Sequence, residues 1–149
     1  MNREIKFRAF DKARKEMFFL PVIDGENKNW LQIDKTGINV GTKNGLLSGN
    51  EFELMQFTGF KDFDEKEIYE GDILEYVSYM RDENKRKEIV GFDEKCGGWY
   101  VHKQADTLSD VLFKQHSEEW QLKQNYKPSI KHKVRVIGNI YENPELLTI

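Results

Sequence analysis

The sequence is nearly without cysteine. Cys96 is the single one in 149 residues, so no intrachain disulfide can form and no multi-cysteine metal site can exist. It has no apolar stretch approaching the roughly 18 residues of a membrane-spanning helix. It also has no apolar run after Met1-Asn2-Arg3-Glu4-Ile5-Lys6 of the kind that marks a secretory signal. A cytoplasmic protein with no membrane partner is the simplest expectation. An excess of charge of one sign is missing too: 33% of residues are charged, but the net charge is only −3. That argues against tight, nonspecific DNA binding driven by overall charge. Neither phosphate-binding pattern, GxxxxGK[ST] or GxGxxG, occurs, and there is no GxSxG nucleophile elbow. No cofactor is implied.

What the sequence has is aromatic side chains and short alternating segments. The apolar fraction of 38% is modest, but 13% of residues are Phe, Trp or Tyr, whose large buried areas supply a core. Residues 5–10 alternate, with Ile5, Phe7 and Ala9 on one side and Lys6, Arg8 and Phe10 on the other, which predicts a half-buried strand. Residues 16–22 read as its hairpin partner, and Asp24-Gly25 with Asn27 as a turn. Weak strands follow at 30–33 and 38–40. Gly37, Gly41, Gly45 and Gly49 suit tight turns between short strands, because glycine accepts positive φ. Residues 52–58 read as a strand ending at Gly59, 62–67 as an acidic turn, and 68–69 as a short extended stub. A meander then runs through 73–80, a polar hairpin tip at 81–87, 88–92 and 99–103. Residues 108–124 read either as a helix or as a strand at 111–113 followed by a loop. Residues 133–137 alternate again, with Val134 and Val136 on one face, and Gly138-Asn139 reads as a turn. Asn143-Pro144 is suited to start a closing helical turn.

The expected fold is mainly β. A small SH3-like or meander barrel, or a sandwich, is predicted at 68–149, with a β segment at 1–60 packed on it and one or two short helices, all within one unit at 1–149.

Four segments carry a resemblance. Arg3-Glu4-Ile5-Lys6-Phe7-Arg8-Ala9-Phe10-Asp11, Leu54-Met55-Gln56-Phe57-Thr58-Gly59, Ile68-Tyr69-Glu70-Gly71-Asp72-Ile73 and Val136-Ile137-Gly138-Asn139-Ile140-Tyr141-Glu142-Asn143-Pro144-Glu145-Leu146-Leu147 resemble, in order, the motifs of YopX proteins. The resemblance implies a phage or prophage gene product with a mostly β fold, and it carries over no activity and no catalytic residue. One departure stands out. Asp64-Glu65 takes the place of the Asn-Gly often found before the third motif, which puts a type I′ turn there in doubt.

Candidate chemistry is sparse. His102, His116 and His132 are 14 and 16 positions apart, far from the three-to-five spacing of local zinc ligands, so ordinary histidines are expected. Asp62, Asp64 and Glu67 begin like a calcium loop, but Glu67 and Ile73 stand where that loop needs glycine and glutamate, so a solvated acidic turn is expected. Cys96 precedes two glycines and suits a hairpin turn better than a nucleophile. Asp72 reads as a turn-fixing carboxylate before a catalytic one. The best binding candidate is a surface. Arg81, Lys85, Arg86 and Lys87 on the hairpin, with Tyr76, Tyr79, Trp99 and Tyr100 on its flanking strands, combine positive charge with aromatics, as single-strand-binding barrels do. The bland alternative puts Trp99 and Tyr76 in the core and leaves the charges as a solvated tip diluted by Asp82, Glu83 and Glu88.

The sequence therefore points first to a non-enzymatic accessory module that binds a host or phage protein. A nucleic-acid-binding barrel comes second. Third is an enzyme whose site is assembled only in space from Asp72, His102 or His132. Exposed strand edges make a homo-oligomer the expected state.

Overall fold

The computed structural model of the chain describes residues 4–20, 29–77, 85–95, 97–101 and 134–148. The protein is mainly β, as expected: eleven strands and one short 3₁₀ turn lie among the described residues. No helix among them is long and apolar enough to cross a membrane. The helix-or-strand alternative at 108–124 lies outside the described residues. The chain divides into two compact units, 1–59 and 60–149.

In the first unit, β1 (Phe7–Asp11) sits between β2 (Glu16–Leu20) and β6 (Phe52–Lys61). Both pairings are antiparallel, with Ala9 opposite Phe18 on one side and Leu54 on the other. The expected hairpin between the first two segments is present. The expectation of a half-buried first strand is corrected. As the central strand, β1 has Arg8, Ala9, Phe10 and Asp11 all buried, so alternation in the sequence does not become alternation in exposure. A second sheet has the order β3 (Trp30–Asp34), β4 (Gly37–Thr42), β5 (Gly45–Ser48). Leu31, Val40 and Leu47 from this sheet join Phe7, Ala9, Phe18, Leu20, Phe52 and Leu54 in one apolar cluster, so the two sheets share a core. Each fully buried side chain of this size contributes about 1.5–3 kcal/mol relative to exposure.

Gly37 and Gly45 open their strands at φ of 122° and 123°, and Gly49 lies in a turn, as glycine spacing suggested. Gly41 does not turn the chain. It lies inside β4, opposite Trp30, and a Cβ built there would fall 2.1 Å from the Trp30 ring. The indole lies across the bare backbone, and a side chain there would evict it. Gly59 is likewise not a strand end: β6 continues through it, at a φ of 88°, to Lys61.

In the second unit, the sheet order is β10 (Gly98–Val101), β9 (Lys85–Asp93), β8 (Asp72–Val77), β11 (Arg135–Asn139), and the sheet is curled into a half-barrel. Its inner face presents Leu74, Val90, Trp99, Val101 and Val134, which cluster with Ile68, Phe60, Tyr76 and Val136. Lys85, Arg86 and Lys87 belong to strand β9, not to a hairpin tip. Gly138 and Asn139 belong to β11, with a bulge between Val136 and Gly138, so the turn begins after them. The final 3₁₀ turn, Pro144–Leu147, starts where Asn143-Pro144 placed it. Between β6 and β7 (Glu67–Tyr69), Glu65 takes a φ of 65° and its N–H bonds the Asp62 carbonyl, while the Asp62 N–H bonds Lys66. Only one loop residue has positive φ, so the turn is a type I turn followed by a left-handed residue and not the type I′ form.

Replacing Gly41 with alanine is expected to destabilise the protein by about 1–3 kcal/mol, as overpacking does, and to move Trp30. Urea unfolding and tryptophan emission of the variant check both.

Candidate functional site

Of the aromatic and basic residues singled out by sequence, those described lie on both faces of the second unit's sheet. Tyr79 and Arg81 lie outside the described residues, and Lys85 begins β9. Trp99 is buried in the second unit's core, edge-on to Phe92 with ring centroids 5.0 Å apart. Tyr76 is half-buried and packs on the same core, with Arg86 opposite it in register. Lys87 and Tyr100 are on the other face. The Tyr100 ring crosses Gly91, where a Cβ would come within 2.7 Å of it. Lys87, Glu75 and Arg135 stand in one cross-strand row of alternating sign. Arg135 also pairs with Asp64, its Nε 2.8 Å from Oδ2, and lies over the Phe63 ring.

The buried polar residues are turn-holders. Asp62 is buried, which corrects the expectation of a wholly solvated acidic turn. Its Oδ1 accepts the backbone N–H groups of Asp64 and Lys66, each at 2.9 Å. Its Oδ2 accepts that of Val136, also at 2.9 Å, and so fastens this turn to β11. Asp72 accepts the Tyr69 N–H at 2.8 Å. Asn139 accepts the N–H groups of Tyr141 and Glu142 and donates to the Glu142 carboxylate. Gly71, at a φ of 77°, donates to the Val90 carbonyl and accepts from the Ile140 N–H, joining the third and fourth motifs. Asp11 accepts the N–H groups of Ala13 and Arg14 and the Arg14 guanidinium, and so closes the β1–β2 turn. Burial pushes its carboxyl pKa up. The Arg14 N–H and guanidinium with the Ala13 N–H outweigh burial, and the carboxyl sits below its ordinary value. Asp34 is also lowered, first by the Thr36 hydroxyl and N–H.

His102, His116, His132 and Cys96 lie outside the described residues. Among the described residues, no group of three or more His, Cys, Asp or Glu is placed to hold a metal ion.

The surface that sequence reasoning missed lies on β3, β4 and β5. Trp30 is 49% exposed and Leu46 55%, and they flank Gly41 on the outer face of that sheet. The next row on the same face is Gln32, Asn39 and Ser48. Around the hairpin end, Ile33 and Ile38 face each other at 73% and 44% exposure. The signal was present in Trp30-Leu31-Gln32-Ile33-Asp34: the tryptophan shares its face with Gln32 and Asp34, the polar side of the strand.

Asp62→Ala is expected to cost about 2–4 kcal/mol, because it leaves three N–H groups without their acceptor. Urea unfolding of the full chain measures this. The Asp11 carboxylate contributes its full stabilisation at neutral pH. That contribution fades as pH falls below about 4, and it is lost once pH passes the lowered folded value. Asp11→Asn should therefore be less stable than the parent at pH 7 and lose less further stability on acidification, as unfolding midpoints from pH 7 to 2 will show.

Set against known proteins, the chain matches the YopX protein family over residues 6–148. No curated protein matches it. It is similar to the crystal structure of protein EF1440 from Enterococcus faecalis, at 24% identity and a TM-score of 0.60. The likeness covers 98% of this chain and 99% of that one and shows a shared fold. The four motifs and the match across nearly the whole chain agree: this protein belongs to the YopX family.

Proposed function

We propose that this chain is a non-enzymatic accessory module, of phage or prophage origin, that binds a host or phage protein through the outer face of β3–β4–β5. The observation that carries the reading is Trp30, half exposed and held flat over Gly41 beside the exposed Leu46. Large apolar side chains at such exposure, bordered by hydrogen-bonding groups, have the make-up of a protein-binding centre with a polar rim. Gln32 and Ser48, exposed on either side of the buried Asn39, supply that rim. A preformed sheet face loses little conformational freedom on binding, which favours affinity.

The carboxylates first weighed for chemistry support the same reading. Asp62 and Asp72 face backbone N–H groups of their own turns. The nucleic-acid alternative draws less support, because the row Lys87–Glu75–Arg135 alternates in sign and Arg135 pairs with Asp64.

The test is capture from lysates of host cells with and without the phage, using the parent and a Trp30→Ala/Leu46→Ser double variant of matched circular dichroism. The parent should retain a protein that the variant loses at least about tenfold, the effect of about 1.4 kcal/mol. Equal capture by both proteins would retire this face as the binding surface. Salt-sensitive retention of oligonucleotides by both would move the reading to nucleic acid.

A further inference from the structure

The β3–β4–β5 sheet has two edges, and they are treated differently. The loop Lys43-Asn44 makes Thr42 and Gly45 the closing hydrogen-bonded pair of the β4–β5 hairpin, so Leu46 and Ser48 turn their backbone groups to the outer edge. There Ser48 is capped. Its N–H bonds the Glu51 carboxylate at 2.8 Å, and its carbonyl accepts the Glu51 N–H at 3.2 Å. On the other side, the loop Lys35-Thr36 makes Asp34 and Gly37 the closing pair of the β3–β4 hairpin. The same alternation turns the backbone groups of Leu31 and Ile33 away from β4, at the outer edge of β3. No side chain or backbone group among the described residues caps them. This edge carries neither proline nor lysine within the strand, and Ile33 is 73% exposed. Proteins blunt an open edge by such devices when they do not use it.

We infer that β3 is the pairing edge for a second copy of this chain, antiparallel about a twofold axis through Gln32. The strand is self-complementary in that register. Leu31 meets the copy's Ile33, and the two exchange both backbone hydrogen bonds, so four bonds form across the axis. Leu31 and Ile33 lie on the same face as Val40 and Ile38, so the pairing lengthens the apolar inner face and covers Ile33. Asp34 falls opposite Trp30 and Lys35 opposite Asn29, so no like charges meet. The result is a continuous six-stranded sheet. The inference goes beyond the partner-binding reading and stands or falls without it.

Two measurements test it on the full chain. Sedimentation velocity of the parent at rising concentration should show weight-average mass climbing toward twofold. Ile33→Lys, of unchanged circular dichroism, should stay monomeric at the same concentrations. In a Cys96→Ser background, Gln32→Cys should give a disulfide-linked dimer on mild oxidation. Opposed residues of a non-hydrogen-bonded pair have Cα atoms about 4.5 Å apart, within the roughly 4.4–6.8 Å a disulfide spans. Ser48→Cys in the same background should give no disulfide-linked dimer, because β5 lies at the opposite edge of the sheet. A parent that is monomeric throughout, an Ile33→Lys protein that dimerises as the parent does, or equal cross-linking at 32 and 48 would each overturn the proposal. If Ile33→Lys fails to fold, the cross-linking pair decides.

Discussion

Turns between short strands leave backbone N–H groups that sheet ladders cannot reach, and the fold depends on side-chain oxygens placed to receive them. Asp11, Asp62, Asp72 and Asn139 each meet this need at a different corner. Asp62 has the longest reach, since its second oxygen receives an N–H 74 positions away in β11. A carboxylate so placed fixes two elements at once, because each bond it accepts is charge-assisted and sets a direction as well as a distance. The backbone bonds of Gly71 to Val90 and Ile140 fasten the β7–β8 turn in the same way. Three of the four family-like segments end or turn on residues of this kind. The polar residues of these segments thus have a structural task, and the binding surface is to be sought elsewhere.

Periodicity made most of the strands legible, because period-two burial is local. The β1–β2 hairpin, the β8–β9–β10 meander and the closing turn at Pro144 are all readable from nearest neighbours. What local pattern cannot carry is the number of neighbours a strand acquires. β1 looks half-polar, yet lies between β2 and β6, and Arg8 is buried with its Nε against the Met55 sulfur. The run Lys85-Arg86-Lys87 looks like a hairpin tip because it is charged. In register with Val77, Tyr76 and Glu75, it is the first third of a strand.

Glycine marks the limit of the same reasoning. Gly37, Gly45 and Gly49 have the positive φ that turn chemistry expects. Gly41 and Gly91 are strand glycines whose missing Cβ makes room for an aromatic ring from the facing strand, Trp30 in one case and Tyr100 in the other. A single sequence does not distinguish the two uses, because the ring that needs the space lies eleven positions before Gly41 and nine after Gly91. The partner becomes visible only once strand register is known. The exposed surface was missed for the same reason: Trp30 reads as a weak-strand aromatic until Gly41 is seen beneath it.

The face and the edge of this sheet are linked by symmetry. A twofold axis perpendicular to the sheet at Gln32 leaves each outer face where it was, so two Trp30–Leu46 rows would lie on the same side of one six-stranded surface. Each row alone is small beside a standard protein interface, which buries roughly 1,200–2,000 Å² in total. Two copies on one rigid sheet convert a second contact into an intramolecular one, at an effective concentration set by sheet geometry and not by bulk protein. A modest face of one tryptophan and one leucine would then bind a symmetric or repeating partner far more tightly than a monomer could. The same face would discriminate against a partner offering a single docking segment.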